Sequence, residues 1–201
     1  MYTEIQEYLL EIGSKPISIE RQKVLTPFRE FVQQKLKEKK HLRLNFICTH
    51  NSRRSHLAQV WAQTIAIYFK LKDVYCYSGG TEATALNQNI IDSLKFTGFR
   101  IEKLSSNENP VYSIKFKDNV HPVIGFSKKF DALFNPQSRF VAVMTCSDAD
   151  ENCPFINGAE TRFALNYQDP KLFDNTPQQN EKYLERTNQI ANEMYWVFKP
   201  E

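Results

Sequence analysis

Leu42-Arg43-Leu44-Asn45-Phe46-Ile47 runs directly into Cys48-Thr49-His50-Asn51-Ser52-Arg53-Arg54-Ser55, and the reading of these residues decides the fold. The opening run is apolar and of strand length. Beyond it, Ser55 to Phe69 sets Leu57, Trp61, Ile65 and Tyr68 on one face of a predicted helix. Between the two lies a loop headed by a cysteine and closed by an arginine and a serine. Backbone N–H groups of such a loop converge on one point, the helix directs its positive end there, and Arg54 offers a planar fork for two oxygens. The spacing describes a trap for a tetrahedral oxyanion. The field that holds such an anion also stabilises a thiolate, so Cys48 is expected to be nucleophilic near neutral pH, with the Ser55 hydroxyl placed to donate to its sulfur. The plain alternative, an inert cysteine buried at a strand end, leaves Arg54 unexplained.

Outward from this stretch the rhythm of strand and helix continues. Val74 to Ser78 reads as a second strand entering Gly79-Gly80, and a helix from about Leu86 to Phe96 stops at Gly98. Phe140 to Thr145 is a third, wholly apolar strand ending at Cys146, and Arg162 to Asn166 is a fourth. A last helix spans about Thr176 to Phe198, with Tyr183, Thr187, Ile190, Met194 and Val197 in register. Continuous apolar strands alternating with helices predict an α/β fold: a four-stranded parallel sheet covered by helices on both faces. Val111 to Phe116 and Val120 to Phe126, joined by Lys117-Asp118-Asn119, break the alternation and predict an inserted β-hairpin. Residues 1–40 predict a helical arm, with Ile5, Tyr8, Leu9 and Ile12 before the break at Gly13-Ser14-Lys15-Pro16 and Leu25, Phe28, Phe31, Val32 and Leu36 after it. The expected division is therefore an arm of residues 1–40 and a main domain of residues 41–201.

Composition narrows the function. With 201 residues, 41% of them apolar, the chain can bury one core and a small appendage. Lysine and arginine (26) nearly balance aspartate and glutamate (23), a net charge of +3 that implies no nucleic-acid partner. The acidic N-terminal residues Glu4, Glu7 and Glu11 do not suit a secretory signal, and no stretch reaches the ~18 uninterrupted apolar residues of a membrane span. The expectation is a cytoplasmic protein with no membrane association, whose four cysteines are free, catalytic or redox-active rather than a structural framework. Cys76, inside the second strand, reads as core. The histidines fall at no ligand spacing, so no metal site is expected.

Ligands of open parallel sheets bind beyond the carboxyl ends of the strands. Three features converge there: the Cys48 loop, Cys146, and Asp169-Pro170 after the fourth strand. Asp169 has the chemistry of a general acid and base at a loop mouth, although Asp-Pro is also a common turn. Tyr167 and Phe173 flank it, either as aromatic walls or as core. Cys146 and Cys153, separated by the polar run Ser147 to Asn152, can bond only if the segment folds back until their α-carbons are ~4.4–6.8 Å apart. Two unrelated thiols are the alternative.

These motifs resemble the low-molecular-weight protein tyrosine phosphatase superfamily, and within it the thioredoxin-coupled arsenate reductases. The resemblance covers residues 42–198 and rests on Cys48 to Ser55, on Thr145-Cys146-Ser147-Asp148-Ala149-Asp150-Glu151-Asn152-Cys153-Pro154, and on Asp169-Pro170. It implies catalytic roles for Cys48, Arg54, Asp169, Cys146 and Cys153, and contact with the substrate from Thr49, His50, Asn51, Ser52, Arg53 and Ser55. It further implies arsenate or phosphate as substrate, no bound cofactor, and thioredoxin as the external reductant. In the phosphatase branch the substrate would be a phosphotyrosine protein, hydrolysed through a phosphocysteine. Three positions depart from the pattern. His50 stands where glycine is usual, Arg53 replaces a second loop cysteine and is expected to face solvent or steer anions, and Gln59 replaces a glutamate of the potassium-binding reductases, so a cation requirement does not carry over. A non-catalytic anion or redox sensor is the remaining class.

Overall fold

The computed structural model describes residues 1–152 and 155–200. Its centre is a parallel sheet of four strands, β1 (Leu42–Cys48), β2 (Val74–Gly80), β6 (Phe140–Met144) and β7 (Ala159–Ala164), in the order β2-β1-β6-β7. The chain leaves β1 to one side to form β2 and later returns to the other side as β6. The carboxyl ends of β1 and β6 thus flank the point where the winding reverses, which is where such sheets open a crevice. Cys48 ends β1, and Cys146 follows β6 by two residues.

One face of the sheet carries α3 (Arg54–Tyr68), α6 (Gln179–Phe198) and the two N-terminal helices, α1 (Thr3–Gly13) and α2 (Ile19–Lys37). Leu44 and Phe46 of β1 and Val141 and Val143 of β6 face this layer, and Ile5, Leu9, Leu25, Phe28, Trp61, Ile65, Ile190 and Met194 complete one continuous core. The opposite face buries Ile47, Ala142 and Met144 under α5 (Ser147–Asn152) and Phe130.

The N-terminal helices are bound to α6 by more than apolar contact. Arg21 forks onto Glu193 with two bonds of 2.8 Å, and the Glu193 side chain is only 3% exposed. Removing the guanidinium leaves a carboxylate in the core without its counter-charge, a change that ordinarily costs several kcal/mol. Arg21→Ala is expected to lose about 3 kcal/mol in urea unfolding, and Glu193→Gln, which keeps hydrogen bonding and leaves the uncompensated charge on the more exposed Arg21, less.

Between β2 and β6 lie α4 (Gln88–Phe96) and a separate antiparallel sheet of β3 (Arg100–Lys103), β4 (Tyr112–Lys115) and β5 (Val123–Gly125). The predicted hairpin is β4 and β5. The third strand, Arg100-Ile101-Glu102-Lys103, escapes a reading by apolar pattern because it is short and almost entirely solvent-facing. The fourth main strand begins three residues earlier than expected, at Ala159 rather than Arg162. As an edge strand it is only partly buried, so its apolar signal is weak.

β2 forms the other edge, and four of its outer backbone groups are taken by side chains. Gln63 accepts from Cys76 N at 2.9 Å and donates to Val74 O at 3.2 Å, Gln59 donates to Cys76 O at 3.2 Å, and Asn135 donates to Ser78 O at 3.0 Å. Further along, Gly80 N donates to Lys128 O at 2.8 Å and Phe130 N donates to Gly80 O at 2.9 Å.

Candidate active site

The loop after β1 is held almost entirely through its carbonyls. Thr81 N donates to Cys48 O at 3.1 Å, Glu82 N to Thr49 O at 2.8 Å, Ser127 Oγ to His50 O at 2.8 Å, and Asn87 N to Ser52 O at 3.0 Å. With the carbonyls drawn outward to the surrounding segments, no acceptor among the described residues takes the N–H groups of residues 50–53. Unused amides beside a helix N-terminus are donors suited to an oxyanion. The loop packs this closely because Gly80 lacks a side chain: a Cβ there would lie 2.3 Å from Glu82 O, 2.6 Å from Thr49 O and 2.7 Å from Asn51 N.

The one left-handed residue of the loop is Asn51, at φ 45°, and not His50, whose φ is negative. A side chain at position 50 is therefore tolerated, and the strain falls on asparagine, which accepts this conformation readily. His50 is half-exposed, with Nε2 3.6 Å from Glu82. Asn51 is fully buried and organises the interior of the loop. Its Oδ1 accepts from Lys128 N at 3.0 Å, which fixes the orientation of the amide, and its Nδ2 donates to Ser55 Oγ at 2.8 Å. Since Ser55 already receives that proton, its own hydroxyl is free to donate to Cys48 Sγ, 3.1 Å away. The serine–sulfur contact expected from spacing is present, with asparagine setting its direction.

Arg54 opens α3 and is 8% exposed. It donates to Tyr167 O at 2.9 Å and to Asp169 Oδ2 at 2.6 Å, while its Nε, buried, has no partner. Asp169 caps the short 3-10 helix Pro170–Phe173 through Oδ1, which accepts from Lys171 N at 3.0 Å. The loop and the Asp-Pro turn, over a hundred residues apart in sequence, thus meet at a single guanidinium. Tyr167 is core, whereas Phe173 is only partly buried.

Arg53 does not face solvent. Its Nε donates to Tyr183 OH at 2.7 Å and its Nη2 to Asp174 Oδ2 at 2.8 Å, and Tyr183 OH donates to Asp174 Oδ1 at 2.6 Å. Burial and the bond to Asp174 raise the Tyr183 hydroxyl, which keeps it protonated and donating. Nothing in the spacing of Arg53 pointed to partners on a distant turn and on α6.

Cys146 is fully buried, and its Sγ lies 3.5 Å from Thr49 Oγ1, so a second thiol borders the residue next to Cys48. Both sulfurs belong to the same apolar cluster, with Met144, Ala149 and Ile156. Cys153, the partner expected for Cys146, lies outside the described residues. Cys76 is core as expected, and burial pushes its thiol up. Among the described residues no group of three histidine, cysteine or carboxylate side chains could hold a metal ion, and no helix is long and apolar enough to cross a membrane.

The segment behind the loop holds an unexpected cation. Lys128 is 4% exposed, donates from Nζ to Phe126 O at 3.4 Å, and lies over the rings of Phe126 and Phe134 at 4.5 and 5.2 Å. Burial pushes its amine down to about 7. His56, also buried, meets the same carbonyl at 3.2 Å, so Nε2 carries the proton. Burial first, and the Lys128 charge second, push this imidazole down to about 3. Residues 127–139 carry no periodic pattern, so sequence reasoning did not reach Ser127 or Lys128.

A cysteine-headed loop at the switch point of a four-stranded parallel sheet, closed by an arginine that meets an Asp-Pro turn, defines a class of enzyme. Solved structures share the fold: a low-molecular-weight protein tyrosine phosphatase from T. tengcongensis superposes with a TM-score of 0.51 at 15% identity, covering 76% of this chain and 95% of that one. A low-molecular-weight phosphotyrosine phosphatase from Vibrio cholerae O395 does so with a TM-score of 0.50 at 14% identity, over 78% and 93%. The fold is that of the low-molecular-weight phosphatases. No family model matches the chain. Arsenate reductase 2 of Staphylococcus epidermidis is 32% identical over 126 residues, 62% of this chain and 76% of that protein. Arsenate reductase of Bacillus licheniformis is 26% identical over 149 residues, 74% and 88%. The chain belongs to the arsenate reductase family and is an enzyme.

Proposed function

We propose that the protein reduces arsenate, using Cys48 as nucleophile and a thiol relay through Cys146 and Cys153 that thioredoxin recharges. The observation that carries this reading is the second buried sulfur, Cys146, at 3.5 Å from Thr49 of the oxyanion loop. Phosphate ester hydrolysis has no use for it. The Cys48 thiolate attacks arsenic(V) cradled by the loop amides and Arg54, and Asp169 supplies a proton to the departing oxygen, which leaves as water. Cys146, as thiolate, attacks the Cys48 sulfur; a disulfide forms, the electron pair of the sulfur–arsenic bond stays on arsenic, and arsenite departs. Cys153 then attacks Cys146, frees Cys48 as thiolate, and leaves a Cys146–Cys153 disulfide for a dithiol reductant.

Arsenate and phosphate share shape and charge, so slow hydrolysis of aryl phosphates by the same loop is a companion activity of this reading. Mass spectrometry of the thiols after one equivalent of arsenate provides the test. The expected product is one Cys146–Cys153 bridge per arsenite formed; four free thiols beside brisk aryl phosphate turnover would assign the enzyme to the phosphatases instead.

A further inference from the structure

The two consecutive arginines grip opposite ends of one segment. Arg54 holds its beginning, at Tyr167 O and Asp169, and Arg53 holds its end, at Asp174. Arg54 is also the residue that an oxyanion in the loop would draw upon, since its buried Nε is unpartnered and its Nη2 is committed only to Asp169. A bound dianion competes with Asp169 for that guanidinium, and the turn then loses an anchor at the moment its carboxyl group is needed. The grip at Asp174 is untouched by this competition. There Arg53, Asp174 and Tyr183 form a closed ring in which each side chain bonds to the other two, at 2.6 to 2.8 Å. Tyr183 is 1% exposed on α6, so the ring is rooted in the core.

We propose that Arg53 is a positioning residue for the proton donor: by fastening Asp174 to Tyr183, it keeps the 167–174 turn over the Cys48 loop while Arg54 transfers from Asp169 to the substrate. This rests on the assignment of Asp169 as that donor. A lysine cannot make the same arrangement, because the ring uses two nitrogens of one planar fork.

The test is a double-mutant cycle on arsenate turnover with a dithiol reductant, run beside inhibition by inorganic phosphate. Arg53→Ala is expected to lower kcat by about ten- to a hundredfold, the scale of a displaced catalytic group, with the phosphate inhibition constant within about twofold of wild type. Arg53→Lys and Asp174→Asn, which disturb packing less, are expected to lower kcat in the same direction and guard against loss of the fold. In an Asp169→Asn background, Arg53→Ala should cost nothing further. Losses that multiply instead, or a weakened phosphate constant with kcat unchanged, overturn the proposal and make Arg53 a structural or anion-contacting residue. Should Asp169→Asn alone leave kcat intact, the assignment of the proton donor fails first, a result distinct from either.

Discussion

Cys48→Ser is expected to abolish arsenate reduction, and Cys153→Ser to permit a single turnover and then stop. The first loss should be very large, because removing a nucleophile from a preorganised site ordinarily lowers kcat by on the order of 10⁶. The second variant separates chemistry from recycling: arsenite should appear at one equivalent per enzyme, with a Cys48–Cys146 disulfide left behind. Rapid-quench assay of arsenite in the presence of thioredoxin checks both. Sustained turnover by Cys153→Ser would remove that cysteine from the relay. Ser55→Ala belongs to the same experiment, since in the proposed mechanism the hydroxyl that Asn51 directs at Cys48 Sγ is the donor to the attacking sulfur. A hydrogen bond to a charged group contributes ~1.5–3 kcal/mol, so the variant should alkylate with iodoacetamide at least about tenfold more slowly.

Lys128 should make the protein more stable in mild alkali. In the unfolded chain this lysine holds its proton up to its ordinary value of 10.5, whereas in the fold burial lowers that value to about 7. Between these limits the unfolded state binds more protons, so rising pH favours the folded state. Below about pH 7 the burden of a buried ammonium is fully present, and it is relieved on the way to pH 10.5. From pH 7.5 to 9.5 the wild type is expected to gain about 2 to 3 kcal/mol relative to Lys128→Met, at just over ~1 kcal/mol per unit. Urea titrations of both proteins across this range cancel the contributions of all other groups. A difference that stays flat with pH would mean that the amine reaches solvent or a counter-charge. His56 acts in the same sense at lower pH: lowered to about 3, it withdraws stability as pH falls below its ordinary 6.5.

What could be read from the chain alone followed from local chemistry. The apolar run 42–47, the loop and the helix after it are contiguous, and their residues state strand, loop and helix in order. The Ser55–Cys48 contact followed from spacing alone, since the two residues bracket one short loop. What stayed hidden is carried by long-range partners. Arg53 faces a turn and a helix more than a hundred residues away, and no periodicity announces that pairing. Asn51 looked like one loop residue among several, but its left-handed φ and its bonds to Lys128 and Ser55 depend on a segment without regular structure. β3 was invisible for a different reason: a short strand that half-buries a single residue, Ile101, leaves almost no mark on hydropathy.

The glutamines of α3 and the asparagine at 135 have a bearing on how copies of this molecule behave at high concentration. A rim whose carbonyls at residues 74, 76 and 78 and whose Cys76 N–H are already occupied by side-chain amides of its own chain offers an incoming strand a broken ladder. Fibril growth or strand exchange from the β2 side would first have to evict those amides. That border of the sheet is blunted against other chains by side-chain amides rather than by a proline, a bulge or a surface charge.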